Sequence, residues 1–165
     1  MRSLRVLASA VLLMIAAVPA VSARRDLYPA PEQARTDLAD ALKAAAATHK
    51  RVLLDFGGNW CGDCIVLDNY LHDEKNRPIL DANYVMVHVN IGRFDANTDM
   101  AAKYDVPLDK GVPAMAVLTD TGKLLYSQKL GQFESMRRMQ SDDVTKFLVQ
   151  WKPAKPGCST VMVNC

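Results

Sequence analysis

Neither sign of charge dominates this chain: 20 lysines and arginines stand against 18 aspartates and glutamates in 165 residues. The basic field that nucleic-acid binding requires is therefore missing. Long apolar runs are missing too, since Val6 to Val18 falls short of the roughly 20 residues a spanning helix needs. There is no internal repeat, no low-complexity tract and no like-charge block able to act as a tail. Cysteine is scarce, at four residues, so each one calls for an explanation.

What is present begins with Arg2 and Arg5, placed ahead of that apolar run, which closes on the small residues Ala20-Val21-Ser22-Ala23. This is the layout of a cleavable secretory signal over residues 1–23, with the charged Arg24-Arg25-Asp26 after it. An uncleaved membrane anchor is the alternative. Cleavage after Ala23 leaves 142 residues, enough for one domain with its own core, carrying 18 basic and 18 acidic side chains. The expected division is a domain over 24–152 and an irregular tail over 153–165 that holds Cys158 and Cys165. All four cysteines lie in the mature part. An exported chain meets an oxidising compartment, most naturally the bacterial periplasm, where thiols pair unless a reductant maintains them. After cleavage no membrane contact is expected, and the domain is expected to be a monomer.

Leu38, Ala41, Leu42 and Ala45 recur on one face of a helix that begins after Pro31 and ends near His49. Val52 to Phe56, closed by Gly57-Gly58, is an apolar run of the kind found in strands buried on both faces, which belong to mainly parallel sheets. Helical spacing resumes at Cys64, Leu67 and Leu71, with Asn59 a candidate N-cap and Pro78 placed to open a second short turn. Tyr84 to Ile91 alternates as a strand, and Thr98 can cap a short helix through Tyr104. Ala114 to Leu118 and Lys123 to Leu130 are joined at Asp120-Thr121-Gly122, close enough for an antiparallel hairpin. Val144, Phe147, Leu148 and Trp151 then form the apolar face of a last helix. Strands alternating with helices put helices on both faces of a sheet, and ligands meet such sheets at the carboxyl ends of the strands. Cys61-Gly62-Asp63-Cys64 follows such an end.

In that order of elements, Leu53-Leu54-Asp55-Phe56-Gly57-Gly58-Asn59-Trp60-Cys61-Gly62-Asp63-Cys64 resembles the active-site strand and loop of the thioredoxin family. Gly111-Val112-Pro113 looks like the loop that holds the family's cis-proline, and Gly122 and Gly131 fall where the family has turn glycines. The resemblance covers roughly residues 50 to 151. It implies an α/β thioredoxin fold, with a central mixed sheet and helices on both faces, and thiol-disulfide exchange as the activity. Departures are Asp63 in place of the common proline, the small Gly57 and Gly58, no visible first strand of the full fold, and extra residues Pro107 to Lys110.

The chemistry follows from position. A helix N-terminus stabilises a thiolate through unpaired N–H groups and the helix dipole, which makes Cys61 the nucleophile. Cys64, one turn deeper on the same side, is the resolving thiol. The resemblance places Asp55 as a buried acid beneath the pair, where low dielectric disfavours its charge and suits it to exchange a proton with Cys64. It also places His88 where the family often has a lysine near that acid, so His88 tunes Asp55 or is simply hydrogen-bonded within the fold. His49 and His72 look like helix-surface residues. Asp63 stands between the cysteines and disfavours a thiolate at Cys61, which points to a reducing pair; the alternative is an exposed, screened acid that suits the first turn of the helix and shifts Cys61 little. Trp60, Val112 and Pro113 form the expected substrate contact, with Val112-Pro113 cis and the adjacent backbone open to an added strand. A zinc site would want a second close cysteine pair, whereas Cys158 and Cys165 have six residues between them and suit a small structural disulfide. A bridge to another chain or a second redox pair are the other options for those two. No metal and no cofactor is implied.

The leading expectation is therefore an exchanger of exported protein thiols and disulfides, a reductant or isomerase served by an upstream redox partner. A thioredoxin-fold binding module with a locked disulfide is one alternative. A reductant dedicated to one client, as in cytochrome c maturation, is another.

Overall fold

The computed structural model describes residues 26–154. The signal segment expected over 1–23 and the cysteines Cys158 and Cys165 lie outside the described residues. A 3-10 turn at Pro31–Gln33 runs into α1 (Ala34–Thr48), which stops where His49 takes a left-handed conformation. Then follow β1 (Arg51–Gly57), α2 (Gly62–Leu71), α3 (Arg77–Asn83), β2 (Tyr84–Asn90), α4 (Thr98–Lys103), β3 (Ala114–Leu118), β4 (Leu124–Ser127) and α5 (Ser141–Trp151). None of the helices is long and apolar enough to cross a membrane, among the described residues.

The four strands form one mixed sheet in the order β2-β1-β3-β4. β1 runs parallel to β2 and antiparallel to β3, and β3 runs antiparallel to β4. The mixed sheet that the resemblance implied is present, and the mainly parallel one suggested by the buried run of β1 alone is corrected, because burial on both faces here comes from helices covering a sheet in which only one pair of strands is parallel. Alternate residues of the central strands face two separate cores. Val52, Leu54 and Phe56 pack with α1 and α4, and Leu53, Met115 and Val117 pack with α2 and α5. β1 and β3 are buried from end to end apart from Arg51.

Four local expectations change. Asn59 does not cap α2: Cys61 is the N-cap, and Asn59 instead binds the backbone of Tyr28 through both amide atoms. Thr98 is the first helical residue of α4, and Asn97, at φ 52°, is its N-cap. The extra residues before the proline loop form a 3-10 turn, Leu108–Lys110. The last strand is shorter than its apolar pattern, because Gln128 turns inward at its end. There its Nε2 donates to the Pro113 carbonyl at 3.0 Å, and its Oε1 accepts from the Met115 amide at 3.2 Å. Gly122 and Gly131 both adopt positive φ, as turn positions do.

Candidate functional site

β1 delivers the chain at Gly57 to a short loop, and α2 starts three residues after Asn59. Cys61 has extended backbone angles at the N-cap, where its Sγ accepts the Cys64 amide proton at 3.1 Å. That hydrogen bond and the open end of a ten-residue helix favour negative charge on Cys61 over Cys64. The two sulfurs are joined as a disulfide, with the α-carbons 5.3 Å apart. Cys64 is completely buried, while Cys61 keeps 5% of its surface. Of the two, only Cys61 has surface open to solvent.

The Val112-Pro113 bond is cis, and the Val112 carbonyl oxygen lies 3.6 Å from Cys61 Sγ. Gln128 fastens this loop to β3 from below, a polar role that its place inside an apolar strand pattern did not disclose. On the other side of Cys61, Trp60 is 39% exposed and donates from Nε1 to the Gly92 carbonyl at 2.6 Å. Its ring leans on Phe94 and lies under the Arg93 guanidinium, so Trp60 and Phe94 present an apolar edge beside the disulfide. Phe94 gave no signal in the sequence because it lies in no periodic segment.

Asp55 sits on β1 on the face that packs under α2, with His88 opposite it on β2 and Met115 opposite on β3. It is wholly buried. Its Oδ2 accepts from the Tyr28 hydroxyl at 2.6 Å and lies 3.0 Å from His88 Nδ1, whereas Oδ1 has no partner among the described residues. His88 Nε2 stands 3.9 Å from Asp68 Oδ1 of α2. Burial opposes charge on His88, but the hydrogen bond and charge of Asp55, with Asp68 behind, outweigh it and raise the histidine pKa. Tyr28 is pushed well above the usual phenol range, by burial first and then by Asp55. Tyr28 belongs to neither helix nor strand, so no periodicity could have announced it.

Asp63 is not the unpaired carboxylate that its sequence position suggests. It accepts from the Arg137 backbone N–H at 2.9 Å and from Nε at 3.1 Å, and Arg137 Nη2 lies 2.8 Å away. The Arg137 hydrogen bond holds its carboxyl below the usual carboxylate range against the opposing effect of burial. A charge so paired repels the neighbouring sulfur much less than a free one. Arg137 lies 74 residues further on, in a separate 3-10 turn, out of reach of local pattern reading. His49 and His72 are exposed at helix ends, as expected.

The structure therefore brings Val112 of the proline loop to Cys61, with Trp60 preceding it in the chain, joins Asp55 to His88 and Tyr28, and sets Tyr28 and Cys64 on one face of Gly57, with Gln128 holding the proline loop and Arg137 holding Asp63. A family model described as thioredoxin-like matches residues 33–119. A disulphide isomerase from Xylella fastidiosa Temecula1 shares 34% identity and superposes with a TM-score of 0.73, covering 78% of this chain and 98% of its own. A thioredoxin from Thermus thermophilus shares 22% identity over 74% of this chain and 83% of its own, with a TM-score of 0.49. A DsbH oxidoreductase shares 19% over 87% and 96%, also with a TM-score of 0.49. Among curated proteins none matches the chain.

Proposed function

The chain belongs to the thioredoxin-like family, and from that premise we propose that it is a thiol-disulfide oxidoreductase acting on exported proteins as a reductant or isomerase. The observation that carries this reading is the Cys61–Cys64 disulfide at the head of α2, with the outer sulfur accepting a helix amide and lying beside the cis-proline loop. The isomerase side of the reading is supported by the Xylella fastidiosa relative, itself a disulphide isomerase. Export rests on the residue 1–23 pattern and points to the periplasm. The partners are then protein thiols and disulfides, plus an upstream dithiol that restores the reduced pair.

In the reducing direction the Cys61 thiolate attacks one sulfur of a client disulfide, forms a mixed disulfide and releases the other client sulfur as thiolate. Cys64 then passes its proton to the Asp55 carboxylate, and the resulting thiolate attacks Cys61 Sγ. That step forms the Cys61–Cys64 bond and frees the second client thiolate. Trp60, Val112 and Pro113 hold the client, and His88 stabilises the charged form of Asp55. Isomerisation uses the first step and its reversal at another client cysteine.

Purified protein should catalyse insulin reduction by dithiothreitol, and Cys61→Ser should abolish the catalysis. Unchanged turnover in Cys61→Ser would overturn the mechanism. No catalysis by the wild type, with the Cys61–Cys64 disulfide left intact by dithiothreitol, would leave a binding module with a structural disulfide as the answer.

A further inference from the structure

Residues 26–30 form neither helix nor strand, yet three asparagines tie them and the start of the following 3-10 turn down. Asn59 bonds both the N–H and the carbonyl of Tyr28, Asn90 Nδ2 donates to the Pro29 carbonyl, and Asn97 Nδ2 donates to the Pro31 carbonyl. The result of this strapping is that Tyr28, which belongs to no helix or strand, is 1% exposed and reaches toward Cys64 of the redox pair. Gly57 reports how close it comes. A β-carbon there would stand 2.4 Å from the Tyr28 hydroxyl and 2.7 Å from Cys64 Sγ, so the bare face of one glycine separates phenol from sulfur.

We propose that Tyr28 is the positioning residue of the resolution step: by donating to Asp55 Oδ2 it turns the carboxylate so that the unpartnered Oδ1 is the oxygen that takes the proton from Cys64. The inference rests on the exchange reading above and deepens it. The groups that contact Asp55 are Tyr28 from the leading segment and His88 from β2, with Asp68 of α2 behind His88, while Cys64 Sγ of α2 converges with the Tyr28 hydroxyl on the bare face of Gly57. Tyr28 and His88 both occupy Oδ2, and among the described residues nothing donates to Oδ1, an arrangement that costs stability in a buried carboxylate and calls for a use of that oxygen. Because burial and Asp55 keep the Tyr28 proton in place far above neutral pH, the phenol is a steady donor to the carboxylate while His88 changes charge.

The test is a stopped-flow reaction of the reduced full chain with an aromatic disulfide that releases a coloured thiolate. The first release reports attack by Cys61 and the second reports resolution by Cys64. Cys61→Ser should lose the first phase and Cys64→Ser the second; if both react as wild type, the exchange reading itself has failed. In Tyr28→Phe the first phase should stay within about twofold of wild type. The second should slow about tenfold at pH 7 and the midpoint of its pH profile should move up by about one unit. In an Asp55→Asn background, Tyr28→Phe should slow resolution no further. An unmoved pH midpoint in Tyr28→Phe, or an equal slowing in the Asp55→Asn background, would overturn the proposal and leave the exchange reading standing. Should Tyr28→Phe fail to fold, Asn59→Ala loosens the strap with the phenol retained, and the same upward movement at smaller amplitude is expected; no movement there overturns the proposal equally.

Discussion

Gly57 has no room for a side chain, because Tyr28 and Cys64 converge on the space a β-carbon would take. Gly57→Ala should therefore destabilise the protein by about 1–3 kcal/mol through overpacking. Thermal melts of the oxidised proteins measure this, and an unchanged melting temperature would show that the two neighbours can retreat freely. His88 supplies a pH signature at the same scale. Its folded pKa lies above the ordinary 6.5, so its charge adds stability that is fully present below that value and is lost as pH rises through the raised one. Urea midpoints should fall between pH 6 and pH 9 more steeply for wild type than for His88→Gln. Equal slopes would mean that the Asp55 contact does not favour the charged imidazole.

At the scale of elements, the join between α2 and the Met136–Arg138 turn depends on Asp63 and Arg137. Asp63 is held below its ordinary pKa, so the stability this join provides is present above that ordinary value and fades as pH falls through the lowered one. Arg137→Ala should also leave the Asp63 charge uncompensated next to Cys61 and shift the potential of the pair to more negative values. Equilibration with glutathione reads the shift, expected to be no more than about 30 mV for a surface pair. A shift to more positive values would reverse the assigned role of Asp63. The elements themselves were largely legible in the sequence. The face of Leu38, Ala41 and Ala45 on α1 and the apolar run of β1 correspond to periodicities that burial imposes directly. What stayed hidden was set by distant chain: the antiparallel seat of β3 beside β1, the inward turn of Gln128, and the choice of Cys61 over Asn59 as the cap of α2.

Taken as one molecule, the described residues form a sheet with two cores and carry the Cys61–Cys64 disulfide where β1 gives way to α2. Cys61, Cys64, Asp55, His88 and Val112-Pro113 were all locatable from sequence because they belong to one motif strand, its loop and two later segments with recognisable patterning. Tyr28 and Arg137 were not, since each reaches the site from irregular chain through a tertiary contact alone. Leu148 lies wholly buried in the core between the sheet and α5, away from the cysteines, and Leu148→Ala should cost about 2–5 kcal/mol in denaturant unfolding while leaving the exchange rates intact. The division of labour between the two sulfurs is the central claim, and mass spectrometry of mixed disulfides tests it most directly. Reduced Cys64→Ser and Cys61→Ser proteins are each exposed to a peptide disulfide and the adducts mapped. The account predicts a stable adduct on Cys61 in the first protein and almost none on Cys64 in the second; equal adducts on both, or a preference for Cys64, would contradict it.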